Sequence, residues 1–574
     1  MTEYEEIVDP WVLVCTDPTN DTPAYLSDGI TGIRIGRDGS TLVTAGGDST
    51  YSSSAIYVPE VEWSVDNTLL DPTNGTNYRQ TLDLRTGVLA TSWEQQIGSK
   101  NVRISSYYLF DGELFGSARF MADQDAVLST DGPGMDGIVV KMKAGVEWGA
   151  SDPRFLGAIK RRGTPEVDIE IDGPVGDQRA IRSFLFYLRQ SMGSDTPPGP
   201  MGLSNDTYNG HIFWDSDVWM FPALAFVDPN SASQISNFRS QTVQNVQSQY
   251  LRTLGGRYEL AANAIERTGH NFVFPDYPLR YPWESDASGN DVTEGPTVKE
   301  DHQSGGVAWS LDLASALGLQ HPSTAKDIGT AVAHYYKSRL AVNENGQSEV
   351  RNVTGVDEWF EGDNCLYTNA IADWTIKKYL GDDVNMYYPR DEKGLLAYDG
   401  DQRRAYQQAA APLILWPLER EDLVDDPIAF LDLFEGKESP NGPAMSLSVY
   451  ALIRARYGDA DEAYETWRNS WKKYTDGNPL MLFSERPGRS DLTYFLTGAA
   501  GCLNSVIYGF IGVRIVDEEP PDEAKLKIEN GKWLVIRPNL PKAWKSVTFK
   551  GMQVLGKSYT VHCVGKTATI TLEE

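Results

Sequence analysis

The spacing of the apolar residues changes twice along the chain, and this constrains the fold more than any other feature. Residues 1–172 contain short alternating apolar and polar segments bounded by Gly, Asp and Asn. Alternation with a period of two at this spacing predicts an N-terminal antiparallel β-sandwich. The clearest of these segments are 30–44, 101–110, 137–148 and 166–173.

The first change falls in residues 173–192, where Ile181, Phe184 and Leu185 are spaced as on one face of a helix. The connector DTPPGPMG at 195–202 is stiff and breaks helices. Residues 173–202 are therefore predicted to be a helical linker.

Residues 203–516 contain mostly helical periodicity, interrupted by loops rich in Gly, Pro, Asp and Trp. Helices paired as antiparallel hairpins predict a toroid whose loops shape a pocket at one end. The second change follows at 515–524, after which alternating strands return and predict a small C-terminal β domain over 517–574.

Composition excludes several classes of partner. A chain of 574 residues is long enough for several domains, and its net charge of −29 repels nucleic acids and anionic membranes. No apolar run has transmembrane length. The N-terminus has no apolar signal region, which predicts a cytoplasmic protein, or a secreted one if a leader has been removed.

Cysteine and histidine give no sign of a metal centre or of a disulfide framework. The four cysteines are scattered without CxxC spacing, and no two of the six histidines are four residues apart. We therefore expect neither a metal nor an organic cofactor.

Four segments of the helical region place carboxylates beside aromatic residues, each in a predicted loop. Any one of them also fits an ordinary acidic loop, but together they favour a sugar site with paired carboxyl groups, as glycoside hydrolysis requires. Aromatic faces suit the apolar faces of sugar rings. The segments are 209–222, 279–286, 353–364 and 481–491.

Two glutamates in these segments differ in their surroundings. Glu358 lies between Asp357 and Trp359, where burial and a like charge raise the pKa of a carboxyl group. This environment suits a general acid. Glu485 precedes Arg486, which favours the ionised form and suits a general base.

Several of these segments resemble motifs of glycoside hydrolase family 65. GHIFWDSDVWMFP is similar to its GH-(V/I)-FWD-x-(D/E)-xWM-x-P segment, RYPWES to its PWES segment, and GVDEWFEGDNCLYTNA to its DEYH segment. SPNGPAMSLS and the stretch 494–515 also match in order. The resemblance covers roughly residues 20–560 and implies a β-sandwich, a helical linker, an (α/α)6 barrel and a C-terminal β domain.

The resemblance also implies inversion at the anomeric carbon of an α-glucoside, with Glu358 as general acid. Family hydrolases place a second glutamate where Glu485 stands, whereas family phosphorylases use inorganic phosphate and need no base. We therefore expect a hydrolase, with the two carboxyl groups about 6.5–9.5 Å apart. The alternatives are a disaccharide phosphorylase and a catalytically silent carbohydrate-binding protein.

Further residues are implied by the same motifs to contact the substrate. Trp214 and Asp215 match the pair that holds glucose in subsite −1, and Trp283 and Glu284 match a pair near subsites −1 and +1. The remaining positions expected to bind substrate are Asp357, Trp359, Gln407 and Gln408.

Two of these positions depart from the family. The family's DEYH reads DEWF here, so that Trp359 and Phe360 replace Tyr and His. Gln407 replaces a Lys that touches the −1 sugar, which removes a charged donor. We look to these departures for the choice of substrate.

Three polar residues near the motifs have a structural or an open interpretation. We expect His211 to order its loop and His302 to begin a helix, while Asp217 is equally consistent with a loop hydrogen bond and a ligand contact. The expected partner is an α-linked glucose disaccharide or conjugate, and a homodimer is possible.

Overall fold

A computed structural model of the protein describes residues 9–39, 41–45, 62–110, 114–131, 139–151, 165–193, 196–205, 207–268, 273–521 and 524–573. Antiparallel strands occupy the described residues up to 151. They form a six-stranded sheet in the order β1-β7-β8-β9-β10-β13, a four-stranded sheet β12-β11-β5-β6 and a three-stranded sheet β2-β3-β4. These strands are β1 Val12–Cys15, β2 Ala24–Ser27, β3 Gly32–Ile35, β4 Thr41–Ala45, β5 Glu62–Val65, β6 Thr68–Leu69, β7 Thr76–Asp83, β8 Val88–Ile97, β9 Lys100–Phe110, β10 Leu114–Ala122, β11 Ala126–Asp131, β12 Val139–Met142 and β13 Trp148–Ser151.

The middle of the chain is helical. Its helices bury small and apolar residues against one another, as in His302–Ala316, which packs against both Pro322–Arg339 and Leu366–Leu380. The α-helices of the described residues are α1 Val175–Gln190, α2 Phe221–Leu224, α3 Pro229–Gln241, α4 Val243–Leu254, α5 Arg257–Thr268, α6 His302–Ala316, α7 Pro322–Arg339, α8 Leu366–Leu380, α9 Pro427–Asp432, α10 Ser446–Tyr457, α11 Ala460–Thr475 and α12 Leu496–Asn504.

Helix α11 illustrates how local chemistry determines where a helix begins and which face it buries. Helix α11 starts after Asp459, whose carboxylate accepts the backbone N–H groups of Asp461 and Glu462. Acidic residues in its first turn and lysines in its last turn complement the helix dipole. Trp467 and Trp471 lie four residues apart and are both buried. This helix lies in the region where the sequence predicts helical periodicity.

The C-terminal residues form two further antiparallel sheets, β14-β24-β25-β26 and β21-β23-β22. One member comes from far away in sequence, because Asp168–Asp172, placed by sequence among the N-terminal strands, pairs with Ser546–Val554. Alternation identifies a strand but not its partner. These strands are β14 Asp168–Asp172, β21 Val513–Val516, β22 Ala524–Lys527, β23 Trp533–Ile536, β24 Ser546–Val554, β25 Lys557–Val564 and β26 Thr567–Leu572.

Short two-stranded hairpins project from the helical region. The second of them, β17 and β18, carries the DEWF sequence in its loop. The hairpin strands are β15 Leu340–Val342, β16 Ser348–Val350, β17 Val353–Thr354, β18 Glu361–Gly362, β19 Arg390–Asp391 and β20 Gly394–Leu395.

The predicted mixed α and β architecture, with N-terminal antiparallel sheets and a helical region after them, is thereby confirmed. The sandwich packing of the sheets, the closure of the helices into a barrel and the domain boundaries stay predictions. Within the described ranges, no helix is both long and apolar enough to cross a membrane.

Candidate active site

Asp215 begins a π-helical turn, Asp215–Met220, that runs directly into α2. Such turns occur frequently at functional sites. The carboxyl group is buried and accepts a hydrogen bond of 2.6 Å from the hydroxyl of Thr497 at the start of α12. Burial raises the pKa of Asp215 to about 7; the Thr497 bond opposes this shift, and the charges of Glu485 and Glu358 add to it.

Glu358 lies in the loop of the β17–β18 hairpin and is half-buried. Its Oε2 accepts a bond of 3.3 Å from Nε2 of Gln407. Burial is the main cause that raises the pKa of Glu358, followed among the raising effects by the charges of Glu485 and Asp357. The pKa of Glu358 is therefore raised, as the sequence predicted, and burial contributes more to this shift than the neighbouring charges do.

Glu485 is buried and its backbone is fixed on both sides. Its N–H donates to the carbonyl of Leu492 at 3.0 Å, and its own carbonyl accepts the N–H of Ala444 at 2.9 Å. Nε of Arg486 lies 3.3 Å from the carboxylate, as the sequence suggested. Arg489, by contrast, pairs with Asp491 at 2.6 Å.

Asp357 connects two loops of the site. Its buried Oδ1 accepts the backbone N–H of Gln407 at 2.9 Å and that of Trp359 at 3.4 Å. Gln408 reinforces the connection by donating from Nε2 to the carbonyl of Val356 at 2.8 Å. The contacts of Asp357 and Gln408 therefore hold Glu358 and Gln407 side by side.

The predicted tryptophans lie in different environments. Trp214 is buried, with its ring edge-on to Trp219 at 5.7 Å and to His302 at 5.0 Å between centroids. Trp283 is half-buried and packs edge-on against Phe213 at 4.9 Å. Trp359 is 62% exposed.

His211 and Asp217 each form a close contact with a charged side chain. His211 Nδ1 lies 2.6 Å from Oε1 of Glu284, which fits the expected ordering role of His211. Asp217 is fully buried and forms a two-pronged ion pair with Arg239, at 2.6 Å for the shortest contact. Gln303 also donates to Asp217 at 3.2 Å. Asp217 therefore has the contacts of a structural residue.

Tyr208 is a site residue that sequence reasoning missed. Its hydroxyl group lies near Glu485, and burial together with the Glu485 carboxylate raises the pKa of Tyr208. The backbone of Tyr208 has φ of 74° and that of Asn209 has φ of 53°. Left-handed φ at a bulky residue is uncommon and concentrates at functional sites. The ring packs edge-on against Phe213 at 5.4 Å.

A second missed residue is Glu300, which is 1% exposed. Its Oε2 lies 2.7 Å from Nε2 of His302, the first residue of α6. Burial, and then the charge of Glu358, raises the pKa of Glu300 well above its usual value, while burial lowers the pKa of His302 to about 3. The only sequence signal was the acidic EDH stretch before α6.

The structure thus brings Asp215, Glu358 and Glu485 into one electrostatically coupled group, with Tyr208 beside all three. Such a group offers two carboxyl groups whose pKa is raised and a third, Glu485, that lies beside Arg486. Within the described residues, no cluster of His, Cys, Asp and Glu has an arrangement suited to a metal ion.

Comparisons with known proteins agree with this chemistry. Residues 182–424 match the glycosyl hydrolase family 65 central catalytic domain. The chain therefore carries a family 65 catalytic domain. The matched segment includes Glu358 and ends before Glu485.

The chain also resembles particular curated proteins. It is 30% identical over 429 residues to a kojibiose hydrolase of Mucilaginibacter mallensis, covering 69% of this chain and 57% of that protein. It is 26% identical over 388 residues to the mouse protein-glucosylgalactosylhydroxylysine glucosidase, covering 61% and 53%. The chain thus spans little more than half the length of these two relatives.

One solved structure has the same fold along nearly the whole chain. It is a human-microbiome protein described as a kojibiose phosphorylase, with a TM-score of 0.72 over 98% of this chain and 96% of that one. At 14% identity this likeness concerns the fold alone.

The raised pKa of Asp215 predicts a pH-dependent gain in stability for Asp215→Asn. Above about pH 7 the folded chain holds a buried charge, whereas below about pH 4 the carboxyl is protonated in both states. Asp215 therefore lowers the free energy of unfolding, by an amount that grows as pH rises between these values. We expect the variant to be more stable than wild type at pH 8, by up to about 4 kcal/mol, and the gap to close towards pH 4.

Urea unfolding at several pH values measures this gap. The matched control is Asp491→Asn, because Asp491 is exposed and its bond with Arg489 lowers its pKa. This control should show no gain at high pH. A pH-independent difference for Asp215→Asn would contradict the predicted titration.

Proposed function

We propose that the protein is an inverting glycoside hydrolase that cleaves an α-glucosidic bond in a disaccharide or a glucosyl conjugate. The observation that carries the proposal is the coupling of Glu358, whose pKa is raised, with Glu485, which is paired with Arg486, next to buried Asp215. The family 65 domain and relatives named as glucosidases support the choice of substrate class.

The proposed roles follow from the different surroundings of the two glutamates. Glu358 keeps a proton and gives it to the departing glycosidic oxygen, while Glu485 takes a proton from the attacking water. The two carboxyl groups are proposed to be separated by about 6.5–9.5 Å, as inversion requires.

The remaining residues hold the substrate. Asp215 accepts sugar hydroxyl groups in subsite −1, and Trp214 packs against the ring. Trp283, Glu284 and Gln407 complete the walls on either side of the scissile bond. The buried Oε1 of Gln407 and indole N–H of Trp283 have no protein partner within the described residues, so both are available to a sugar hydroxyl or to water.

We also propose the finer architecture implied by the family resemblance. It consists of a β-sandwich over 1–172, a linker over 173–202, an (α/α)6 barrel over 203–516 and a C-terminal β domain over 517–574. The matched family segment, 182–424, starts within the proposed linker and continues into the proposed barrel.

Substitution of each glutamate tests the assignment. We expect Glu358→Gln to lower kcat by several orders of magnitude, because Gln cannot supply the proton, and Glu485→Gln to abolish glucose release in phosphate-free buffer. A phosphorylase would need no base, so activity of Glu485→Gln that depends on added phosphate would overturn the hydrolase assignment. Circular dichroism of both variants provides the folding control.

Tyr208 is proposed to orient the Glu485 carboxylate and so to act as a positioning residue. We expect Tyr208→Phe to lower kcat about ten- to hundredfold with little change in KM, because the substrate still binds while the base is less well aligned. Tyr379→Phe is the matched control, since the Tyr379 hydroxyl donates to the carbonyl of Ala308 away from the carboxyl groups. An equal fall in kcat for both variants, or a rise in KM with unchanged kcat for Tyr208→Phe, would contradict the positioning role.

A further inference from the structure

Trp359 is an exposed side chain between two partly buried ones, Glu358 and Phe360. It leaves 62% of its surface in solvent and is the one aromatic among the large apolar side chains found exposed in the described part of the chain. No aromatic ring of those described residues packs against it. The indole face is therefore available to a ligand.

The backbone that carries Trp359 is held firmly in place. The hairpin loop is closed by the N–H of Phe360, which donates to the carbonyl of Asp357 at 2.9 Å, and by the N–H of Trp359, which donates to the Asp357 carboxylate. Phe360 is stacked on Tyr398 with centroids 3.7 Å apart and ring planes at 12°. The loop thus withdraws Phe360 and presents Trp359 in advance of binding, which lowers the entropic cost of binding.

The position of Trp359 fixes the side of the substrate that it faces. It follows Glu358 directly, with Cα atoms about 3.8 Å apart. A general acid stands beside the leaving oxygen. Of its two neighbours in sequence, Asp357 is buried and bonded to backbone N–H groups, whereas Trp359 is exposed and free to face the aglycone. We propose that Trp359 forms a subsite for the second sugar residue of the aglycone, and that the preferred substrate is a glucosyl conjugate longer than a disaccharide. This inference rests on the proposed function.

The surroundings favour a sugar over a protein partner. The apolar surface is a single side chain, far below the roughly 800 Å² that each partner contributes to a stable protein interface. The rim beside it is polar, because Glu361 pairs with Lys299 and Asp363 is exposed. One flat indole ring within a polar rim fits the apolar face of one pyranose ring, whose hydroxyl edges need polar groups.

A comparison of substrate lengths tests the proposal. Wild type is first assayed for glucose release from kojibiose and nigerose, and the matching trisaccharide is added for each linkage that is cleaved. Calorimetry then measures binding of the disaccharide and trisaccharide to Glu358→Gln. We expect the trisaccharide to bind about tenfold more tightly. Adding Trp359→Ala should reduce that preference to nearly one, while adding Trp359→Phe should retain part of it.

The control is Trp533→Ala in the same Glu358→Gln background, because Trp533 is a half-buried tryptophan of the C-terminal sheet flanked by Lys525 and Lys527. It should leave the preference for the trisaccharide unchanged. Equal binding of both lengths to Glu358→Gln, or an equal loss of both on adding Trp359→Ala, would overturn the distal subsite while leaving the hydrolase intact. Dimerisation of wild type that is lost in Trp359→Ala would overturn it in favour of an interface. Absence of cleavage of every substrate would instead reject the proposed function.

Discussion

Burial of several carboxyl groups at one place is the constraint on which the rest of the site depends. Taking a carboxylate out of water is costly, and neighbouring negative charges add to that cost. The chain offers little compensation, with Thr497 bonded to Asp215, Gln407 bonded to Glu358 and Arg486 beside Glu485. Burial therefore raises the pKa of Asp215 and of Glu358, and a raised pKa is what a general acid needs.

The fold maintains this arrangement by linking loops instead of relying on a single element. Asp357 connects the Glu358 loop to the Gln407 loop, and the backbone of Glu485 is bonded on both sides. The fully buried pair of Asp217 and Arg239 anchors the π-helical turn that begins at Asp215. Removing either partner of such a pair leaves an uncompensated buried charge, which explains why polar residues persist there.

Sequence predicted the elements better than their partners. The helical region and the strand at 168–172 were both evident from periodicity, because periodicity is a local property. The pairing of that strand with residues 546–554 was not, because nothing in alternation specifies a partner. The motifs identified Glu358 and Asp215, but not the bond from Thr497, which is 282 residues away from Asp215.

The two residues that the sequence did not reveal illustrate the same limit. Tyr208 matters through its left-handed backbone and through the carboxylate that its hydroxyl group faces. Glu300 matters because α6 begins beside it and buries it with His302. Both depend on tertiary contacts, whereas the substitution of Trp359 for the family's Tyr could be read directly. Because Trp359 is exposed, its substitution for the family's Tyr changes a surface that a ligand can reach.

In the proposed mechanism, water activated by Glu485 attacks the anomeric carbon while Glu358 protonates the leaving oxygen. The most direct test is proton NMR of the first sugar released from an α-glucosyl substrate in phosphate-free buffer, recorded before mutarotation. We expect β-glucose to appear first. Initial release of α-glucose, or release of glucose 1-phosphate only when phosphate is added, would contradict this mechanism.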